Sequence, residues 1–295
     1  MKQINRIILF GDSWVEGQGV FARTETDSKG RVKFFETGIE PKINGLRQWR
    51  LENGWNKFLK KYVDCEIVNY ATQGSSNYGQ FSQMNRLVSE LTDTDLILFG
   101  FTSKYRDTIN QIQYAYQLGN YIIHSKNPLR NVIAFDKSEL NTKHSFRGPD
   151  KEFHTQFEAE FTKNHIPEFF VKVFDEAVYE NIAQENYLFY QSWFKEKGLN
   201  IIFFDLFEQY INPKYVNDLY EVDPKIYVTY GKDTMHQTLL KYEKETYTNE
   251  SPYSIWEHAE IKFPPIDVIY HPNQFGYEHY VNYLWNNHIS KQYKF

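Results

Sequence analysis

Two stretches of the sequence, far apart along the chain, carry residue types that could perform acyl transfer. In ILFGDSWVEGQG (8–19), Ser13 comes directly after an apolar run that ends in Gly-Asp. In PPIDVIYHPNQFGYEHYVNYLW (264–285), His271 follows Asp267 by four residues. A serine hydroxyl becomes a strong nucleophile when a base takes its proton, and a carboxylate can orient an imidazole base through its second nitrogen. The same residues also allow a structural interpretation, in which Ser13 only caps a helix and His271 lies in a turn.

The apolar run before Ser13 is one of four that predict buried strands, at residues 4–10, 65–70, 95–101 and 200–207. Apolar residues with a period near 3.6 predict helices at 46–63, where Gly54 interrupts the pattern, at 78–91, at 168–198 and from Phe275 onward. Strands that alternate with helices predict an α/β fold with a parallel sheet covered on both sides. Ser13 would then lie at the carboxyl edge of the sheet, where open α/β folds bind their ligands.

Two segments do not follow this alternation. Residues 126–165 are mixed and polar, and residues 208–263 are rich in Tyr, Asp, Glu and Lys without a clear period. Neither segment shows a repeat, so we interpret both as insertions in a single domain that spans 1–295. The aromatic side chains of the second insertion suit either a wall on which a sugar stacks or a small satellite core.

Composition excludes several classes of protein. The apolar fraction of 41% and the charged fraction of 24% are typical of a soluble globular chain. The net charge is −5 and there is no basic stripe, which argues against a nucleic-acid partner. Cys65 is the single cysteine, so neither an intramolecular disulfide nor a cysteine-based zinc site is expected. Because no apolar run reaches the ~18 residues of a membrane span and no signal pattern precedes the first strand, we expect no membrane partner and synthesis in the cytoplasm.

The order of four short motifs resembles that of the SGNH (GDSL-type) hydrolases. The motifs are FGDSW (10–14), NYATQGSSN (69–77), LILFGFTS (96–103) and D…HPNQFGY (267–277). The resemblance implies a three-layer α/β/α, flavodoxin-like fold and an esterase, lipase or carbohydrate O-deacetylase that needs no metal or cofactor. It also implies that Ser13 is the nucleophile and first oxyanion donor, Gly74 the second donor, His271 the general base and Asp267 the acid that orients it. Asp12 would support the turn without reacting.

The third and fourth motifs depart from the family pattern. Thr102 stands where the family has the Asn that gives a third oxyanion donor, and Asn77 or Arg106 could compensate. The family has its Asp three residues before the His, whereas Asp267 lies four residues before His271. The segment DTMH (233–236) has the three-residue spacing, so Asp233 and His236 form an alternative pair.

These observations leave two functions open. The first is a serine esterase that hydrolyses a small acyl ester, such as an O-acetyl group on a glycan, through an acyl-serine intermediate. The second is a structural or glycan-binding protein that has the fold without the activity, because the composition and the motif GDSWVEGQG resemble phage- and virus-encoded members of the family. The expected partners are a small ester or acylated glycan, and self-association as a homo-oligomer or within a virus particle is left open.

Overall fold

A parallel sheet forms the centre of the protein, seen here in a computed structural model that describes residues 1–17, 20, 23–26, 32–35, 46–72, 75–102, 104, 106–108, 115–117, 176–213, 221–246 and 271–295. The strands are β1 (Lys2–Gln3), β2 (Arg6–Phe10), β3 (Arg23–Thr26), β4 (Val32–Phe35), β5 (Glu66–Asn69), β6 (Asp95–Phe101), β7 (Arg106–Thr108), β8 (Ala115–Gln117), β9 (Asn200–Asp205) and β10 (Tyr293–Lys294). The helices are α1 (Ser13–Glu16), α2 (Leu46–Asn53), α3 (Trp55–Leu59), α4 (Asn77–Leu87), α5 (Glu176–Lys197), α6 (Met235–Thr246), α7 (Gln274–Leu284) and α8 (Ser290–Gln292).

The central sheet has four strands in the order β5-β2-β6-β9. All three pairings are parallel, and the register sets Leu9 opposite Asn69 and Phe10 opposite Phe99. A parallel bridge between Phe203 and Tyr227 adds a short segment beside β9. Among the four strands of this sheet, β2 comes first along the chain and lies between β5 and β6, the second and the third, so the order reverses beside β2. Open α/β sheets bind ligands at such a reversal, outside the carboxyl ends of the strands.

Each face of the sheet carries its own hydrophobic cluster. Successive strand residues alternate between the two, so Ile7 and Leu9 belong to one cluster and Ile8 and Phe10 to the other. Helices α3 and α7 cover the first face, with the buried side chains Trp55, Phe58, Leu59, Tyr277, Tyr280 and Val281. Helices α4 and α5 cover the second face, with Phe81, Met84, Ala183, Tyr187 and Phe194. Helices α3 and α7 thus share one cluster with the strands, and helices α4 and α5 share the other.

The structure agrees with most of the predicted elements and differs in the segment 208–263. Gly54 does divide the helical pattern, because α2 ends at Asn53 and α3 begins at Trp55. Where residues 208–263 are described, they contain α6, and Val228 and Met235 are buried in the first cluster. The described residues of this segment thus contribute to the core. The other segment, 126–165, lies outside the described residues.

Helix α6 begins at a reciprocal pair of hydrogen bonds between Thr234 and Gln237. The Thr234 hydroxyl accepts a hydrogen bond from the Gln237 amide at 3.3 Å, and the Gln237 side chain accepts one from the Thr234 amide at 3.0 Å. This reciprocal pair is a capping box, which satisfies two amide groups at a helix start.

Among the described helices, none is both long and apolar enough to cross a bilayer.

Candidate active site

Ser13 is the first residue of α1, a single helical turn that follows β2 directly. Two glycines allow this turn to lie close to the sheet. A Cβ on Gly11 would lie 2.2 Å from Val15 Cγ2, and a Cβ on Gly100 would lie 2.9 Å from the same atom. Real Cβ atoms do not approach so closely, so both positions need glycine for Val15 to pack as it does. Ser13 is consequently held tightly at the carboxyl end of β2.

Asp12 caps α1 and binds the three amides that follow Ser13. Its Oδ1 accepts a hydrogen bond from the Trp14 amide at 2.9 Å, and its carbonyl oxygen accepts bonds from the amides of Val15 and Glu16 at 3.1 and 2.9 Å. Within the described part of the chain, the Ser13 amide donates no hydrogen bond to a protein group. An amide N–H beside the serine hydroxyl is therefore available to a ligand.

The carbonyl oxygens of α1 are held by residues from three other places in the chain. Trp55 Nε1 donates to the Trp14 carbonyl at 3.0 Å, and Asn69 Nδ2 donates to the Val15 carbonyl at 2.9 Å. Gly17, in the left-handed conformation with φ 97°, donates its amide to the Ser13 carbonyl at 3.1 Å. Because neighbouring elements fix both sides of this short turn, the direction of the Ser13 side chain is set by the fold.

His271 contacts Ser13 directly. The Nε2 atom of His271 lies 2.9 Å from Ser13 Oγ, although the two residues are 258 positions apart in the chain. Asn273, two residues later, caps α7 by accepting hydrogen bonds from the amides of Phe275 and Gly276 at 3.0 and 3.2 Å. Helix α7 in turn packs on α3, where the rings of Tyr280 and Trp55 are 6.0 Å apart. The cap and this packing place the histidine over the end of β2.

Thr102 and Asn77 lie together beside Asp12. The Thr102 hydroxyl donates to Asp12 Oδ2 at 2.8 Å. The Asn77 side chain accepts from the Thr102 amide and donates to the Thr102 carbonyl, both at 2.9 Å. Thr102 and Asn77 were predicted as candidates for a third oxyanion donor, but Thr102 donates its single hydroxyl proton to Asp12. Asn77 likewise uses one amide proton and its carbonyl oxygen to hold Thr102.

Three other predicted site residues lie wholly or partly outside the described structure. Gly74 and Asp267 lie outside the described residues. For Arg106, only the backbone, in β7, is described.

The alternative pair Asp233 and His236 has a different role in the structure. Asp233 accepts a hydrogen bond at 2.5 Å from Lys241, on the exposed side of α6. His236 is buried against the Trp14 ring, with the two ring centroids 5.9 Å apart, and burial lowers its pKa to about 4. The histidine that forms a hydrogen bond with Ser13 is His271.

Comparison with known proteins gives two distant structural likenesses. No protein-family model and no curated protein sequence matches the chain. A crystal structure of a member of the lipolytic protein G-D-S-L family from Veillonella parvula is 12% identical, with a TM-score of 0.32 over 96% of this chain and 97% of that one. A putative lipolytic protein of the G-D-S-L family from Desulfitobacterium hafniense is 11% identical, with a TM-score of 0.22 over 72% of this chain and 83% of that one. Both scores are below 0.5, so a function has to be assigned from the contacts around Ser13.

Neither likeness supports the resemblance to phage- or virus-encoded proteins. The described residues also include no group of three or more His, Cys, Asp or Glu side chains that could hold a metal ion.

The hydrogen bond between Thr102 and Asp12 is the feature of the site that sequence reasoning missed. The two residues are 90 positions apart, and nothing in either motif predicts their contact. The available signal was the threonine itself, because it replaces the asparagine expected in the third motif. The hydroxyl of a buried threonine is shorter than an asparagine amide and can donate a hydrogen bond to a carboxylate close beside it, as Thr102 does to Asp12.

Proposed function

We propose that this protein is a serine ester hydrolase of the SGNH type. The observation that carries the proposal is the 2.9 Å contact between His271 Nε2 and Ser13 Oγ at the carboxyl end of a parallel sheet. A serine and a base within hydrogen-bond reach of each other form the minimal unit of nucleophilic acyl transfer. The Ser13 amide, which donates to no protein group among the described residues, supplies a first donor for the oxyanion.

The reaction proceeds in two steps. His271 takes the proton of the Ser13 hydroxyl as Oγ attacks the ester carbonyl, and the negative charge that develops on the carbonyl oxygen is stabilised by the Ser13 amide. The C–O bond to the leaving alcohol then breaks, and the alcohol receives the proton from His271. In the second step His271 activates a water molecule, which hydrolyses the acyl-serine and regenerates the hydroxyl.

The finer parts of this proposal come from the family resemblance. Gly74 would give the second amide of the oxyanion hole, and Asp267 would orient His271 through Nδ1. The complete fold would be the three-layer, flavodoxin-like α/β/α architecture as one domain. No metal or cofactor takes part in the proposed reaction.

We further propose a small acyl group, such as acetyl carried on a carbohydrate, as the substrate. Ser13 is 5% exposed, and a nucleophile with so little accessible surface suits a small acyl group better than a long acyl chain. The aromatic residues of the segment 208–263 give less support to sugar stacking, because Tyr210 and Tyr227 are buried in the core at 3% and 0% exposure. A panel of acetylated glycans and of esters with longer chains tests the preference directly.

The second candidate is a structural or glycan-binding protein without catalysis, including one that assembles in a virus particle. The observation that favours it is the engagement of the Thr102 hydroxyl by Asp12, since the third donor of the family is then absent from this position. Loss of one such donor lowers turnover by roughly 10²–10³ in serine hydrolases.

Hydrolysis of p-nitrophenyl acetate and labelling by a fluorophosphonate distinguish the two functions. We expect labelling of the wild-type protein, no labelling of Ser13→Ala, and a turnover lower by about 10²–10⁴ in His271→Gln, because a general base contributes that much. Ser290→Ala and His279→Gln are the matched controls and should retain both signals. Failure of the wild-type protein to label, with hydrolysis equal to that of Ser13→Ala, would favour the non-catalytic candidate.

A further inference from the structure

Three buried side chains, those of Asn77, Thr102 and Asp12, form one continuous chain of hydrogen bonds behind Ser13 that ends at the Trp14 amide. It runs from the Asn77 amide to the backbone of Thr102, from the Thr102 hydroxyl to Asp12, and from Asp12 to the Trp14 amide. Every distance is between 2.8 and 2.9 Å. Asn77, Thr102 and Asp12 are exposed by only 4%, 1% and 0%. Buried chains of this kind are stiff, because breaking one bond leaves a polar group without water.

The arrangement of Asp12 links this chain to the reacting atoms. Asp12 uses its carbonyl for the Val15 and Glu16 amides and one carboxylate oxygen for the Trp14 amide. Its other carboxylate oxygen accepts the Thr102 proton. Without the Thr102 proton, the carboxylate that caps α1 would have one hydrogen bond fewer, and the amides of this turn would be held less firmly. The Ser13 amide, which belongs to the same turn, would move relative to an oxyanion.

We propose that Thr102 and Asn77 are positioning residues that act on the oxyanion site through Asp12. The third motif of this chain thus has a different task from that of a donor asparagine: it holds the turn that carries the nucleophile and the first donor. Asn77 binds both the amide and the carbonyl of Thr102 and thereby fixes the backbone from which the hydroxyl reaches Asp12. This inference rests on the proposed function for its effect on catalysis, but the hydrogen-bond chain can be observed without turnover.

Substitutions at Thr102 separate positioning from direct donation. Thr102→Val, which keeps the shape and loses the hydroxyl, should lower kcat by about 10- to 100-fold, because small displacements of reacting groups have effects of that size. KM should change little, since ground-state contacts are not touched. Thr102→Ser should restore most of kcat. Thr102→Asn introduces the family residue but cannot make the same short contact with Asp12, so it should resemble Thr102→Val. Wild-type or higher activity in Thr102→Asn would overturn the proposal in favour of direct donation.

The combination of Thr102→Val with Asn77→Ala tests whether the two residues act as one unit. We expect the double variant to lose about as much kcat as the more damaged single variant, whereas independent losses that multiply would contradict a shared chain. Circular dichroism of each variant verifies that the fold is retained at the assay temperature.

A readout without catalysis comes from the Trp14 amide. In protein labelled with ¹⁵N-tryptophan, the Trp14 resonance, assigned by its absence in Trp14→Phe, should move in Thr102→Val and stay in place in Thr102→Ser. An unmoved resonance in Thr102→Val would overturn the positioning role. If the wild-type protein neither labels nor hydrolyses esters, the proposed function fails, and the resonance still decides whether the chain of contacts to α1 exists.

Discussion

Asp205 is a carboxylic acid in the core at the carboxyl end of β9, and it is fully buried. It accepts hydrogen bonds from the hydroxyls of Tyr227 and Thr229 and from the Tyr210 amide, at 2.5, 2.7 and 2.8 Å. Burial raises its pKa to about 7, although these bonds favour the charged form. The loss of hydration therefore raises the pKa of Asp205 by more than the three hydrogen bonds lower it. Between pH 4 and pH 7, the carboxylate of the unfolded chain takes up a proton when the chain folds.

This protonation predicts a pH dependence of stability. The carboxyl group of the unfolded chain loses its proton near pH 4, whereas in the folded protein it keeps the proton until about pH 7. The stabilisation is thus complete below about pH 4 and is lost as the pH rises to 7, by about 4 kcal/mol at most. Asp205→Asn should flatten the free energy of unfolding over this range, as measured by urea denaturation at successive pH values.

Asp95→Asn is the matched control for that measurement. Burial of Asp95 opposes its charge, but hydrogen bonds from Arg6 and Thr92 prevail and lower its pKa. Asp95 is ionised in both folded and unfolded states above about pH 5, so its substitution should leave the slope between pH 5 and 7 unchanged. An Asp205→Asn protein with the wild-type slope would show that Asp205 is charged when folded.

At the level of elements, the approach of α1 to the sheet depends on the two glycines that face Val15. A Cβ on Gly11 would lie 2.2 Å from Val15 Cγ2 and 2.4 Å from Val15 Cβ, whereas a Cβ on Gly100 would meet Val15 only at Cγ2, at 2.9 Å, and the Phe204 ring at 3.1 Å. We expect Gly11→Ala to reduce the free energy of unfolding by about 3 kcal/mol or more and Gly100→Ala by less. Turnover should fall in the same order, because α1 carries Ser13.

Adding Val15→Ala to each glycine variant distinguishes the clash at Gly11 from the clash at Gly100. It removes the Cγ2 atom but keeps the Cβ, so it should restore much of the stability of Gly100→Ala and little of that of Gly11→Ala. Val15→Ala alone sets the baseline for the lost methyl groups. Equal rescue in both backgrounds, measured by thermal unfolding and the fluorophosphonate labelling rate, would mean that α1 moves as a unit away from the sheet.

The elements also show how far local pattern predicts structure. The four central strands follow from continuous apolar runs, because a strand buried on both faces needs apolar residues at every position. Helix α6 was missed, although Met235, Leu239 and Tyr242 form a short apolar stripe that packs on the first cluster and Thr234 and Gln237 form a capping box at its start. In the site, the pairing of Ser13 with His271 was predicted from the motifs FGDSW and HPNQFGY and from the family that they resemble. The contact of Thr102 with Asp12 depends on how two loops meet in space, which no local pattern records.

At the scale of the whole molecule, the two hydrophobic clusters share the same strands. Strands β2, β6 and β9 each give alternate side chains to both faces, so neither cluster can lose its strands while the other keeps them. The site also depends on both the sheet and a covering helix. Ser13 follows β2, and His271 precedes α7, which packs on the face of the first cluster. Because both clusters depend on the same strands, we expect the described sheet and its covering helices to unfold in one cooperative step.

Two tryptophans report on the faces separately. Trp55 is buried in one cluster, and Trp193 packs against the other. In protein labelled with 5-fluorotryptophan, and with resonances assigned by Trp55→Phe and Trp193→Phe, both signals should lose their folded intensity at the same urea concentration. The labelling of Ser13 by the fluorophosphonate should vanish at that concentration too, because the nucleophile and its base are brought together only by the complete sheet and α7. Loss of labelling at a lower urea concentration than both tryptophan signals would mean that the α7 end detaches first. Different urea midpoints for the two tryptophan signals would mean that the two faces do not unfold as one cooperative unit.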